Sequence, residues 1–183
     1  DDFRNDDPNK YVKGFPWHPH RGIETITYVL KGNVQHSDSL GNNGSLSGGD
    51  VQWMTAGSGI IHQEMPSGNE LGQMHGFQLW ANLPRDQKMC TPRYLDIASK
   101  EINTLTDDDG THIRVIAGDY RGYKGLVDGI DTDPSYLDIT LMPNVKKRFP
   151  FDTRRQGFAY IFEGSANFGN SSIPFGVNVE KEF

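Results

Sequence analysis

Hydrophobicity in this chain comes in short β-branched and aromatic runs that stop at glycine or at polar turn residues. Ile23 to Leu30 (IETITYVL) ends at Gly32 and Asn33, and Val34 to Ser37 reads as its return strand. Asp38 to Gly49 (DSLGNNGSLSGG) is turn chemistry with room for a short strand inside it. Asp50 to Met54, Ile60 to Met65 and Phe77 to Leu83 (FQLWANL) follow as further strands, whereas Asp1 to Trp17 reads as polar and turn-rich. β-Branched and aromatic side chains suit a pleated, half-buried surface, and almost no stretch carries the apolar period of a helix. Strands this short and this closely spaced predict an all-β sandwich or barrel.

Pro84 to Pro92 reads as a connector leading to a second β-rich portion, with strands at Ile113 to Ala117, Tyr136 to Leu141 and Phe158 to Phe162. Gly164 follows Phe162 as Gly32 follows Leu30, and a polar segment comes after each. This internal echo predicts two similar β-barrels in tandem, over residues 1–105 and 106–183. After Ala166 only 17 residues remain, too few for the strands a matching barrel would still need. The second barrel is therefore expected to be partial. The chain is expected to be part of a longer one, since it begins at Asp1 and not at Met.

Charge and cysteine usage narrow the function. The formal net charge is −6 and the sequence pI about 5.4, so an acidic surface repels phosphate backbones and no direct nucleic-acid partner is expected. The one dense basic group (Lys146, Lys147, Arg148, Arg154 and Arg155) reads as a solvated face. Cys90 is the only cysteine, which excludes an internal disulfide and suits a reducing compartment. No apolar run approaches the roughly 20 residues that span a bilayer, so no membrane partner is expected. The expected location is the cytoplasm, with the nucleus as the alternative if the source is eukaryotic.

The chemistry is concentrated in two dipeptide-spaced pairs, His18 with His20 and His62 with Glu64. Residues i and i+2 of a strand share a face, so each pair presents its heads together. If the two strands adjoin, three imidazoles and one carboxylate converge on one point. Such a nitrogen and oxygen set without thiolate suits iron, manganese, cobalt, nickel, copper or zinc, and argues against a structural zinc site. A lone strand histidine is ordinarily a satisfied polar residue; two such pairs among six histidines are harder to dismiss.

Phe15 to Glu24 (FPWHPHRGIE), Gly48 to Pro66 (GGDVQWMTAGSGIIHQEMP) and His75 to Pro84 (HGFQLWANLP) together resemble the signatures of the pirin family, a branch of the cupin superfamily. The remainder of the chain resembles that family more loosely. The resemblance implies a bicupin, two cupin-type β-barrels with one metal in the N-terminal barrel. It implies Fe2+ as the cofactor and carries the ligand role to His18, His20, His62 and Glu64. It also implies a dioxygenase acting on a flavonol such as quercetin; in such a reaction Glu64 is the expected catalytic residue, since a carboxylate can exchange ligation for acceptance of the substrate's hydroxyl proton. The alternative is a non-enzymatic metal- or redox-sensing regulator that binds a protein partner. A weaker third reading is a cupin isomerase acting on a small carbonyl compound. Pirins carry a further N-terminal strand and a C-terminal closing segment that have no counterpart here.

Many other cupins take a glutamate shortly after the H-x-H pair, which makes Glu24 the rival of Glu64. Glu64 is preferred, because Gly22 makes a bulge easy, and Glu24 is then left as an acceptor for an imidazole N–H. His36 and His75 are expected to be structural or to sit behind the ligands. Trp53 and Met54 are expected in the core, and Gly57 and Gly59 in the turn before the ligand strand. Asp107 to Gly110 is read as a turn, since no glutamate closes a calcium loop there.

Overall fold

The computed structural model describes residues 1–127, 129, 132–170, 175, 176 and 179–182. The expected second barrel, 106–183, therefore includes positions that lie outside the described residues. Nearly every regular element is a strand, as the turn-punctuated sequence requires. Two compact units are present, 1–143 and 144–183.

The first unit opens with one helical turn, α1 (Pro8–Tyr11), started by the Asp7 side chain accepting the Asn9 amide and by Pro8, whose fixed φ suits a first turn. Eight strands follow: β1 (Phe15–His20), β2 (Ile23–Lys31), β3 (Asn33–Asp38), β4 (Asn43–Ser47), β5 (Val51–Thr55), β6 (Ile60–Ser67), β7 (His75–Asn82) and β8 (Arg93–Ile97). They form two four-stranded antiparallel sheets, ordered β1-β6-β3-β4 and β7-β2-β5-β8. Val29 of the second sheet packs with Val34 and Leu46 of the first, and Met54 packs with Ile60, so the sheets face one another. The pairing runs neither from β1 to β7 nor from β4 to β8, which leaves a flattened barrel with open seams.

Strand β1 starts inside the segment expected to be turn. Its pairing with β6 shows why the sequence hides it: the register slips between Phe15 and His18, so one extra residue bulges out, and prolines occupy positions 16 and 19. Proline is tolerated there because β1 is an edge strand with one neighbour. Strand β8, beyond the expected connector, was also not anticipated; its pattern is mostly exposed and gives little alternation to read.

Three further strands, β9 (Asn103–Thr106), β10 (His112–Ala117) and, after the short pair β11 (Asp119–Tyr120) and β12 (Tyr123–Lys124), β13 (Tyr136–Thr140), make a sheet ordered β13-β10-β9. Ile116 and Ala117 of β10 join Ile26, Tyr28, Val51 and Trp53 in the largest buried cluster. The β7-β2-β5-β8 sheet is thus covered on both faces. This explains why six consecutive residues of β2, from Glu24 to Val29, are all buried. The Tyr28 hydroxyl donates to Asp138 at 2.6 Å across the same interface.

In the second unit β14 (Phe158–Ile161) pairs with β17 (Val179–Glu182), and β15 (Ser165–Ala166) pairs with β16 (Phe175–Gly176). No helix among the described residues is long and apolar enough to cross a membrane.

Candidate metal centre

Strands β1 and β6 are antiparallel neighbours, and His18 sits directly opposite His62. His20 shares the inward face with His18, and Glu64 shares that of His62, each by the two-residue period. The Nε2 atom of His18 lies 3.0 Å from Nε2 of His20 and 2.9 Å from Nε2 of His62. All three ligand nitrogens fall within 4.8 Å of one another. His62 is fully buried, Glu64 is 3% exposed and His20 8%.

The tautomer of His18 follows from its neighbours. Nδ1 of His18 is 2.9 Å from the carbonyl oxygen of Pro16, which can only accept, so Nδ1 carries the hydrogen. In the neutral ring Nε2 is then a bare lone pair facing two other nitrogens. One lone pair cannot accept two well-aligned hydrogen bonds, whereas a cation between the three nitrogens satisfies all of them. The donor set therefore fits a divalent transition metal.

Electrostatics support the same use. Burial, reinforced by the neighbouring His18, His20 and His36, pushes the His62 imidazole down to about 3, with Asp38 opposing. Burial and His18 also lower His20. Both rings thus stay neutral, the form that ligates. Burial pushes the Glu64 carboxyl up, against hydrogen bonds from Gln78 and Thr27 and electrostatic interaction with the nearby His18 and His36.

Glu64 lies beside the triad, with Oε2 4.0 Å from Nε2 of His62. Its oxygens are held from the opposite sheet. The Thr27 hydroxyl donates to Oε1 at 3.2 Å, and Gln78 Nε2 is 3.0 Å from Oε1 and 2.9 Å from Oε2. Thr27 and Gln78 were not foreseen from the sequence. The available signal was a polar residue at an inward position of an otherwise apolar strand, in IETITYVL and in FQLWANL.

Glu24 takes neither role weighed for it. Its carboxylate accepts from the Thr55 hydroxyl at 2.7 Å and the Thr132 hydroxyl at 2.5 Å, one on each oxygen. It shares parity in β2 with Ile26 and Tyr28, which pack in the cluster with β10, while Thr27 points to Glu64. A single residue of offset decides which glutamate faces the histidines. His36 contacts Asp96 through Nε2 at 3.0 Å and stacks on Tyr94, and His75 contacts Arg4 at 3.1 Å, so neither joins the triad. Trp53 and Met54 are core residues as expected.

His18 and His20 line a cleft of about 690 Å³, within the usual range for a small-molecule site, while His62 lies buried behind them. Phe3, Phe15, Ile23, Val34 and Pro66 form apolar walls, and His18, His20, Glu64 and Gln78 reach it from below. Trp80 stands at its edge, 57% exposed, with its ring 5.2 Å from that of His20 in an edge-on arrangement.

Comparison with known proteins gives a consistent picture. The family model described as Pirin matches residues 1–81. A "Pirin-like protein" of Arabidopsis thaliana is 45% identical over 162 residues, 87% of this chain and 52% of its own length. A Thermoplasma acidophilum protein named "Putative quercetin 2,3-dioxygenase" is 38% identical over 188 residues, 93% of this chain and 72% of its own. Among solved structures, a quercetin 2,3-dioxygenase from Acinetobacter baumannii superposes with a TM-score of 0.74 at 32% identity, over 91% of this chain and 59% of that one. The chain thus spans between about half and three quarters of these relatives.

Proposed function

Because this chain belongs to the pirin family, we propose that it is an iron(II)-dependent dioxygenase of a small aromatic substrate, a flavonol such as quercetin. The observation that carries this reading is the convergence of three imidazole Nε2 atoms, with two of the rings, His18 and His20, lining a cleft beside Phe3, Phe15 and Trp80. His18, His20, His62 and Glu64 would hold the metal. Bound there, it would supply Lewis acidity and one-electron chemistry, with open positions for substrate and dioxygen.

The protein's own groups divide the remaining work. Phe15 and Trp80 offer flat faces at the cleft edge against which a planar ring system can lie. The apolar walls keep bulk water from the bound substrate. Glu64 accepts the proton of the substrate's acidic hydroxyl on a carboxylate oxygen. Its burial raises the basicity of that oxygen, while Gln78 and Thr27 keep the group aimed.

The test is oxygen uptake by iron-loaded protein on addition of quercetin. Glu64→Gln is expected to lower turnover at least a hundredfold, within the usual range for a general base, and to reduce metal content far less. Unchanged turnover in that variant removes Glu64 from proton transfer. No uptake with any flavonol leaves the regulator reading, whose mark is partner binding that differs between ferrous and ferric protein.

A further inference from the structure

We propose that Trp80 is a positioning residue for the metal centre: its indole N–H locks the Gln78 amide in the orientation that donates to both oxygens of Glu64. The inference rests on the reading of Glu64 as part of that centre.

Gln78 and Trp80 are two apart on β7 and project to the same face. The Trp80 Nε1–H donates to Gln78 Oε1 at 2.8 Å. At the other end of the amide, Nε2 lies 2.9 and 3.0 Å from the Glu64 oxygens and 3.2 Å from the Thr27 hydroxyl. Indole is a donor only, so the oxygen end of the amide must face it. The terminal torsion of glutamine is soft and nearly two-fold, so an unlocked amide can turn over at little intrinsic cost. A turned amide would set Oε1 against both carboxylate oxygens and repel them. One hydrogen bond at the cleft edge therefore decides whether Glu64 meets a donor or an acceptor. The ring also stands edge-on to His20, so Trp80 touches two sides of the site. A tryptophan 57% exposed contributes little core burial, and removing its N–H alone is expected to leave folding stability unchanged.

Cobalt(II) serves as the probe, titrated into the full metal-free chain and read by its visible d–d absorption and by its affinity. Trp80→Phe keeps an aromatic ring beside His20 and removes the donor. It is expected to shift the d–d bands and weaken cobalt binding about tenfold, as loss of a group behind a ligand commonly does, with an unchanged urea midpoint. Gln78→Met is expected to give a change of the same kind, and Trp80→Phe added to Gln78→Met to change nothing more. Wild-type bands and affinity in Trp80→Phe overturn the proposal, as do additive effects in the double variant. If the wild-type chain itself binds no cobalt, the metal reading fails, and this inference falls with it.

Discussion

At the scale of single residues the centre is a set of proton positions. His18 is turned to its Nδ1–H form by the Pro16 carbonyl of its own strand, so the segment Pro16-Trp17-His18 carries a candidate ligand and the acceptor that orients it within three residues. His62, wholly buried, has no hydrogen-bond partner for Nδ1 among the described residues. Its imidazole takes up a proton near pH 6.5 in the unfolded chain but only near about 3 in the folded one. Between those values the unfolded state binds more protons, so folding stability falls as pH falls. The loss starts below about 6.5 and approaches about 1.4 kcal/mol per pH unit. Urea midpoints of chelator-treated protein are expected to drop steadily from pH 7 to pH 5, and His62→Gln to flatten the slope. Equal midpoints at both pH values would show that His62 is not held neutral by the fold.

At the scale of elements, the ligand strand β6 depends on the turn that delivers it. Gly57 has φ +49° and Gly59 φ +140°, both left-handed conformations that favour glycine. A Cβ on Gly57 would collide with the Cys90 carbonyl oxygen, which already accepts the Ser58 amide at 2.9 Å; a Cβ on Gly59 meets nothing within 4 Å. Gly59→Ala carries backbone strain alone, about 1–3 kcal/mol. Gly57→Ala adds a clash with backbone that cannot rotate away, and is expected to cost more than about 2 kcal/mol and to weaken metal binding, since His62 is five residues on. Chemical denaturation of the two variants, with cobalt titration, checks the order; a milder Gly57→Ala would contradict this account of the turn. The bulge in β1 acts in the same way at the other edge of the site. The slip between Phe15 and His18 takes up the extra residue around Pro16, and from His18 on the regular register presents both histidines inward.

At the scale of the whole molecule, the sheet that packs against the histidine triad and the β13-β10-β9 sheet share one core. Ile116, 1% exposed, packs in the cluster that contains Trp53, and Tyr28 bonds to Asp138. Ile116→Ala is expected to cost about 2–5 kcal/mol as a buried large-to-small change. The loss should appear as one transition, in Trp53 fluorescence and in release of the metal together. Two separate transitions, with the triad lost in one and the Ile116 surroundings in the other, would instead favour folding units at 1–105 and 106–183.

The residues alone determined much of this. Short β-branched runs between turn residues specify strands because strand and turn chemistry are local. Histidine and glutamate at i and i+2 specify a shared face because the pleat has period two. The four metal-ligand candidates follow from that period and from the likeness of HPH and HQE to a family pattern. Three matters were decided only in tertiary structure. Which sheet covers the outer face of β2 depends on the distant strand β10, and on that covered face Glu24 meets Thr55 of the neighbouring strand β5 and Thr132. The Trp80–Gln78–Glu64 chain crosses between two sheets, and strand periodicity says nothing about which strands of facing sheets meet. Strand β1 was hidden because prolines and a bulge erase alternation, and only pairing with β6 restores it. Local sequence states what a strand presents; packing of the sheets decides what it is presented to.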